Sequence, residues 1–139
     1  MTFGADIMEW ASDSQQWSSA ECAETVRAIY KRIVMYSPNQ YVGKYSQGHF
    51  NKNWRLGETK QIGEIEGTVT PQQKYTEIDM FVDDDYFLNH PSGQVTMTNS
   101  TEYITEIEYK GWVKRNGSPG HPAYAPVATA LAEFVGVGR

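Results

Sequence analysis

One stretch constrains this chain more than any other. In residues 18–36, Cys22, Val26, Ile29, Tyr30, Ile33 and Val34 fall at i, i+4, i+7, i+8, i+11 and i+12. That spacing draws one apolar stripe along an amphipathic helix. Ser18 followed by Glu21 reads as a capping box. Lys31 and Arg32 suit the helix's C-terminal end, and Pro38 disfavours helical geometry at Ser37, which stops it. A helix with one apolar stripe must bury it against a second layer. The 139 residues, 40% hydrophobic and 13% aromatic, supply enough apolar surface for one core and exclude a disordered chain. Cys22 falls on the stripe and reads as a small buried hydrophobe.

The second layer is legible downstream. Residues 54–58 and 62–69 read as two strands, with Gly57 and Gly63 marking bends or a turn between them. Glu64 and Glu66 alternate with Ile65, which predicts one wet face and one buried face. Thr70-Pro71-Gln72-Gln73 is a helix start with a cap, a proline at the first helical position and a capping glutamine. Tyr75, Ile78 and Val82 follow at helical spacing, and the helix ends at or before Asp83-Asp84-Asp85, since negative charge is unfavourable at that terminus. Residues 89–93 form a turn and residues 94–99 a strand with Val95 and Met97 inward. A short helical pattern holds Tyr103, Ile104, Ile107 and Tyr109, and the last helix covers about 124–135 with Val127, Leu131 and Phe134 on one face. The expectation is one α+β domain over 1–139, with an N-terminal segment 1–17 bearing Phe3, Ile7, Met8 and Trp10, an extended loop 39–53 and a Gly/Pro loop 110–121.

Charge is unevenly placed. Between Glu58 and Tyr109 stand eleven acidic residues and two basic ones, Lys60 and Lys74, whereas the rest of the chain is net basic. A global DNA-binding surface is not expected of such a chain. The asymmetry suits a basic face meeting a neighbour's acidic face, or a surface that must not hold polyanions. A single cysteine excludes a disulfide within the chain and a cysteine zinc cluster, and points to a cytoplasm or a particle assembled in one. No membrane span and no signal peptide is legible.

Catalytic signals are weak. Glu106, Glu108 and Lys110 make the Glu-x-Lys pattern that metal-dependent nucleases place on a strand, but here the segment reads as a helix. Asp83, Asp84 and Asp85 with Asp79 and Glu77 lack the spacing and central glycine of a calcium loop, and read as a solvated charge run. His49, His90 and His121 each sit beside Gly or Pro in loops, without the helical pairing of a zinc site. Serine nucleophile motifs, phosphate loops and dinucleotide fingerprints are absent. The expectation is a non-enzyme with no catalytic residues, no metal and no cofactor.

One ordered set of residues resembles a known family. After the first helix comes Ser37-Pro38, then Gly48-His49-Phe50-Asn51-Lys52-Asn53-Trp54, then Val95-Thr96-Met97-Thr98-Asn99-Ser100, Tyr103, and Ile107-Glu108-Tyr109-Lys110-Gly111, and the chain closes on 123–134. Over residues 18–135 this resembles the tail-completion or tail-terminator (neck, minor-tail) proteins of long-tailed double-stranded DNA phages. The stretch from Pro38 to Gly48 is longer than in that family, and Gln47 stands where the family has threonine.

The resemblance implies a curved, mostly antiparallel sheet flanked by helices, in a structural virion protein assembled in the host cytoplasm. It implies a hexameric ring at the head–tail neck that completes the tail and joins it to the head. Its partners would be the tail tube protein and the head-closure or connector protein, with DNA passing through without specific binding. Loop aromatics suit subunit contacts, so Tyr41, Tyr45, His49, Phe50 and Trp112 are the expected interface residues. A carboxylate wall repels phosphate, so Glu64, Glu66, Asp83, Asp84 and Asp85 are the expected channel-lining residues. Two other classes remain: the nuclease using Glu106, Glu108 and Lys110, and a monomeric binding module built on the aromatic loops.

Overall fold

The Ser18 hydroxyl accepts the Glu21 N–H at 3.1 Å and so caps the first helix, α1, Ser19–Tyr36. The structure is a computed structural model, and it describes residues 18–38, 48–102, 104–113, 119–121 and 123–134. The segment 1–17 and most of the loop 39–53, with Tyr41 and Tyr45, therefore lie outside the described residues, as does Tyr103. After α1 come a single-turn helix α2 (His49–Lys52), strand β1 (Trp54–Gly57), helix α3 (Pro71–Phe81) and a second single turn α4 (Tyr86–Asn89). Strand β2 (Thr96–Asn99), a π-helical turn (Glu106–Lys110), strands β3 (Trp112–Val113) and β4 (Pro119–His121), and helix α5 (Pro126–Phe134) complete the order.

The architecture is α+β, with two small two-stranded antiparallel sheets. β1 pairs with β2 from Trp54 opposite Asn99 to Gly57 opposite Thr96, and β3 pairs with β4. The α1 stripe forms the centre of the core: Ala23, Val26, Ile29, Tyr30, Ile33 and Val34 are buried. Trp54, Ile78, Val82, Tyr86, Val95, Met97, Ile107, Val127 and Ala130 close around it. Cys22, expected on the stripe, is only partly buried, and Ala23 takes the core position beside it.

Several expectations are corrected. Residues 62–69 join no ladder, although their alternation predicted a strand. Gly63 (φ +95°) and Gly67 (φ +109°) turn the backbone out of the pleat. The end of the predicted loop 39–53 is the helix α2, and the predicted loop 110–121 contains the β3–β4 pair. The strand expected at 94–99 is there with Val95 and Met97 inward, and Thr96, Thr98 and Asn99 are buried as well. Tyr109 is largely exposed, not a core position. Lys31 and Arg32 stand before the last turn of α1 and pair with Asp79 and Glu133 instead of serving the helix terminus. By contrast α3 begins as its sequence predicts, with a complete Thr70–Gln73 capping box and Pro71 in the first turn.

Part of the charge asymmetry is met inside the chain. Arg27 donates to the Val82 carbonyl and to Asp84 Oδ1, both at 2.7 Å, and Lys31 Nζ lies 2.6 Å from Asp79 Oδ1. These bonds tie α1 to α3 and to the turn that follows it. No helix of the described residues is long and apolar enough to cross a membrane.

Candidate functional site

The motif residues separated by sixty positions meet in one buried junction. Gly48 starts it: with φ +96° it turns the chain into α2, and a Cβ there would stand 2.0 Å from the Val69 carbonyl oxygen. Only glycine fits. α2 then places His49, Phe50 and Asn51 inward, all buried. Phe50 meets Trp54 edge to face, with ring centroids 5.6 Å apart. The Trp54 indole N–H donates to Ser37 Oγ at 2.9 Å, and Ser37 Oγ donates to the Ile33 carbonyl at 2.7 Å. Ser37-Pro38 is therefore both the stop of α1 and the partner of the tryptophan. From β2, the Asn99 amide donates to the Phe50 carbonyl at 3.0 Å, and its oxygen accepts the N–H and hydroxyl of Thr101.

Side chains of this junction also hold the segment that was expected to be a strand. Asn53 bonds the Ile65 backbone as a neighbouring strand would: its Oδ1 accepts the Ile65 N–H at 2.7 Å and its Nδ2 donates to the Ile65 carbonyl at 3.0 Å. His49 Nδ1 donates to the Gly67 carbonyl at 2.9 Å, and Nε2 lies 3.2 Å from Glu64 Oε2. Arg55 Nη1 donates to the carbonyls of Ile62 and Gly63. Glu64 Oε1 in turn accepts the Glu102 N–H at 2.9 Å. Asn51 is the exception among these polar groups, since its buried amide has no hydrogen-bond partner among the described residues.

Lys74 is the buried cation that sequence reading missed. It is 2% exposed, and its Nζ donates to the Trp54 carbonyl at 2.8 Å, to Glu77 Oε2 at 3.0 Å and to the Lys52 carbonyl at 3.4 Å. Burial lowers its pKa, opposed by the neighbouring Glu77. It ties α3 to the α2–β1 corner. Its position on α3, four residues before Ile78, was the available signal.

The expected site residues fall into separate places. His49 and Phe50 lie inside the subunit, which corrects their assignment to a subunit interface: α2 turns both rings into the core. Trp112 begins β3, opposite His121. Among the expected channel carboxylates, Glu64 is turned toward His49 and Asp84 is paired with Arg27. Glu66 is exposed, and so are Asp83 and Asp85 in the turn after α3, where Asp83 Oδ1 accepts the Asp85 N–H. Glu64 and Glu66 do not share a strand face, because there is no strand.

Glu108 has a use of its own. Buried at the N-terminus of α5, it accepts the Val127 N–H at 3.2 Å and the Ala128 N–H at 3.1 Å. It caps a helix whose preceding residue, Ala125, has φ +46° and offers no side-chain acceptor. Burial raises its pKa, partly offset by those two backbone N–H groups. Each oxygen of the carboxylate accepts one of these N–H groups. Among the described residues no group of three His, Cys, Asp or Glu side chains is placed to hold a metal ion. No family model, curated protein or solved structure matches this chain.

Proposed function

We propose that this chain is a structural virion protein of a long-tailed double-stranded DNA phage. In this reading it forms a hexameric ring at the neck, completes the tail and makes it competent to join the head. The ring would seat between the tail tube protein and the head-closure or connector protein. Its small sheets would extend into a curved, mostly antiparallel sheet around the channel, flanked by α1 and α5. The observation that supports the reading is the junction itself. Ser37, Phe50, Trp54 and Asn99, which carry the resemblance, come from three separate stretches of the sequence, yet Trp54 bonds Ser37 and packs on Phe50, whose carbonyl accepts from Asn99. Residues that act as one structural unit explain why a resemblance would rest on them and on their order.

The contacts with neighbours then belong to the surface. Trp112, with Tyr41 and Tyr45, is the remaining aromatic candidate for the ring interface. The carboxylates free to face DNA are Glu66, Asp83 and Asp85, since Glu64 and Asp84 are engaged within the subunit. Imaging of isolated necks tests the proposal: six copies around the axis are expected, and a monomer in intact particles overturns it. Glu66→Lys tests the channel, with assembly unchanged and DNA ejection slowed at low salt, where charge is least screened.

In the nuclease reading Glu108 would have to serve a metal while it caps α5. It predicts magnesium-dependent DNA cleavage abolished by Lys110→Ala, and that assay decides against or for it directly.

A further inference from the structure

Residues 61–67 lie on the rest of the chain as a bound peptide lies on its receptor. They run antiparallel to residues 49–55. Arg55 Nη1 donates to the Ile62 and Gly63 carbonyls, the Asn53 amide bonds both the N–H and the carbonyl of Ile65, and His49 donates to the Gly67 carbonyl. Just past β2, the Ser100 hydroxyl donates to the Gln61 carbonyl at 3.4 Å. All of these bonds go to the main chain of 61–67. Among the described residues, the one side chain of this segment that bonds the body is Glu64: its Oε1 accepts the Glu102 N–H at 2.9 Å and its Oε2 lies 3.2 Å from His49 Nε2. Such a groove recognises a non-helical main chain with one carboxylate in its middle, as peptide-binding sites do.

The occupant takes no part in the core. No residue from 58 to 70 is buried, and Ile62 is 74% exposed. Lifting 61–67 away therefore costs mainly hydrogen bonds that water can replace, which places it at the low-stability end of the molecule. The fit is also incomplete. Thr98 stands opposite Arg55 in the β1–β2 ladder, so the two side chains share a face. Thr98 is 1% exposed, and its hydroxyl has no hydrogen-bond partner among the described residues. A segment that brings a polar side chain to this face answers a group that 61–67 leaves unanswered.

We propose that His49, Asn53, Arg55 and the Glu102 N–H form a peptide-binding groove, filled in cis by residues 61–67 and open to exchange for a non-helical segment of a partner protein that carries a carboxylate at the place of Glu64. Arg55 and Asn53 hold the main chain of that segment, and His49 with the Glu102 N–H takes its carboxylate. The cis segment competes as a tethered ligand at an effective concentration on the order of millimolar. It sets the threshold that a partner must exceed, and so acts as a selector built into the site. The inference rests on the contacts of 61–67 and stands apart from the neck reading.

The test uses the full chain and a labelled peptide of residues 60–69, followed by fluorescence anisotropy. Glu64→Ala with Ile65→Pro takes the carboxylate and the Ile65 N–H from the cis segment and changes no groove residue. This double variant should bind the peptide at least about tenfold more tightly than the wild type does. Adding Arg55→Ala to it, or placing Glu64→Ala in the peptide, should weaken that binding by about tenfold. Absence of binding by a folded double variant overturns the proposal, and so does binding that neither change weakens. Should the double variant fail to fold, the wild type decides. Peptide at several millimolar should then accelerate hydrogen exchange at the Ile65 N–H while the β1–β2 amides keep their protection, and unchanged exchange at Ile65 overturns the proposal. Self-association of the wild type that Arg55→Ala abolishes also overturns it, since the groove would then belong to a second copy.

Discussion

Residues 54–57 and 62–69 present the same kind of pattern and meet different fates. β1 finds a ladder partner in β2, with Trp54 buried beneath it and Gly57 only at its end. The second stretch carries Gly63 and Gly67 within it, both at positive φ, and pairs with no strand among the described residues. Its Ile65 is held by the Asn53 amide, its Gly67 by the His49 ring and its Ile62 and Gly63 by Arg55. The difference teaches that alternation reports which side chains want burial, whereas a ladder also needs uninterrupted extended backbone. Where the backbone turns, side chains supply the hydrogen bonds that a strand would have given.

That contrast can be broken at four positions. The largest effect is expected from Gly48→Ala, which drives a Cβ into the Val69 carbonyl and imposes a left-handed conformation on a side-chain residue. A loss of about 3–5 kcal/mol is expected, from overpacking and backbone strain together. Chemical denaturation measures it, and a loss below about 1 kcal/mol would mean that 48 and 69 move apart freely.

Asn53→Ala removes the strand mimic and leaves the Ile65 N–H and the Ile65 carbonyl without the Asn53 amide. A loss of about 2–3 kcal/mol is expected. Hydrogen exchange should accelerate at Ile65 while the β1–β2 amides keep their protection. Uniform acceleration across both stretches would show that they open as one unit.

Glu108→Gln carries the comparison to α5, another element anchored by a side chain. The glutamine keeps one acceptor and loses the other, for about 1–2 kcal/mol. Because burial raises the Glu108 pKa, the folded state favours the protonated acid. Its contribution is thus present below the ordinary glutamate range and is lost as pH rises through the raised folded value. The stability gap between wild type and Glu108→Gln should therefore narrow as pH rises through that window. A gap independent of pH would remove Glu108 from the titration.

Gly63→Ala sharpens the first prediction and is the smallest change. The backbone is left-handed as at Gly48, but nothing lies within 4 Å of the added Cβ. Strain alone is expected, about 1 kcal/mol. Equal losses for the alanines at 48 and 63 would show that conformation, not the Val69 contact, decides both.

Local rules were enough for much of the chain. The cap at Ser18, the stop before Pro38, the Thr70–Gln73 box and the α1 stripe are short-range facts, set by sterics and hydrogen bonds within a few residues. They placed α1, α3 and most of the core. The channel carboxylates were a composition argument, and composition could not say that Glu64 faces His49 or that Asp84 faces Arg27. Lys74 shows the same limit: its charge argued for solvent, and only the convergence of two carbonyls and Glu77 made burial tolerable.

Sequence by itself therefore determined where α1 and α3 start and stop, which stripe of α1 is buried, and the α+β class, because each follows from spacing along one segment. Tertiary structure alone decided which polar groups face one another. It buried His49 and Phe50, which the sequence reading had left in a loop, and made Glu108 a helix cap. The physical reason is that burial and pairing depend on atoms brought together from distant segments, and the free energy of a charge or a hydrogen bond is set by those partners and not by its neighbours in the chain.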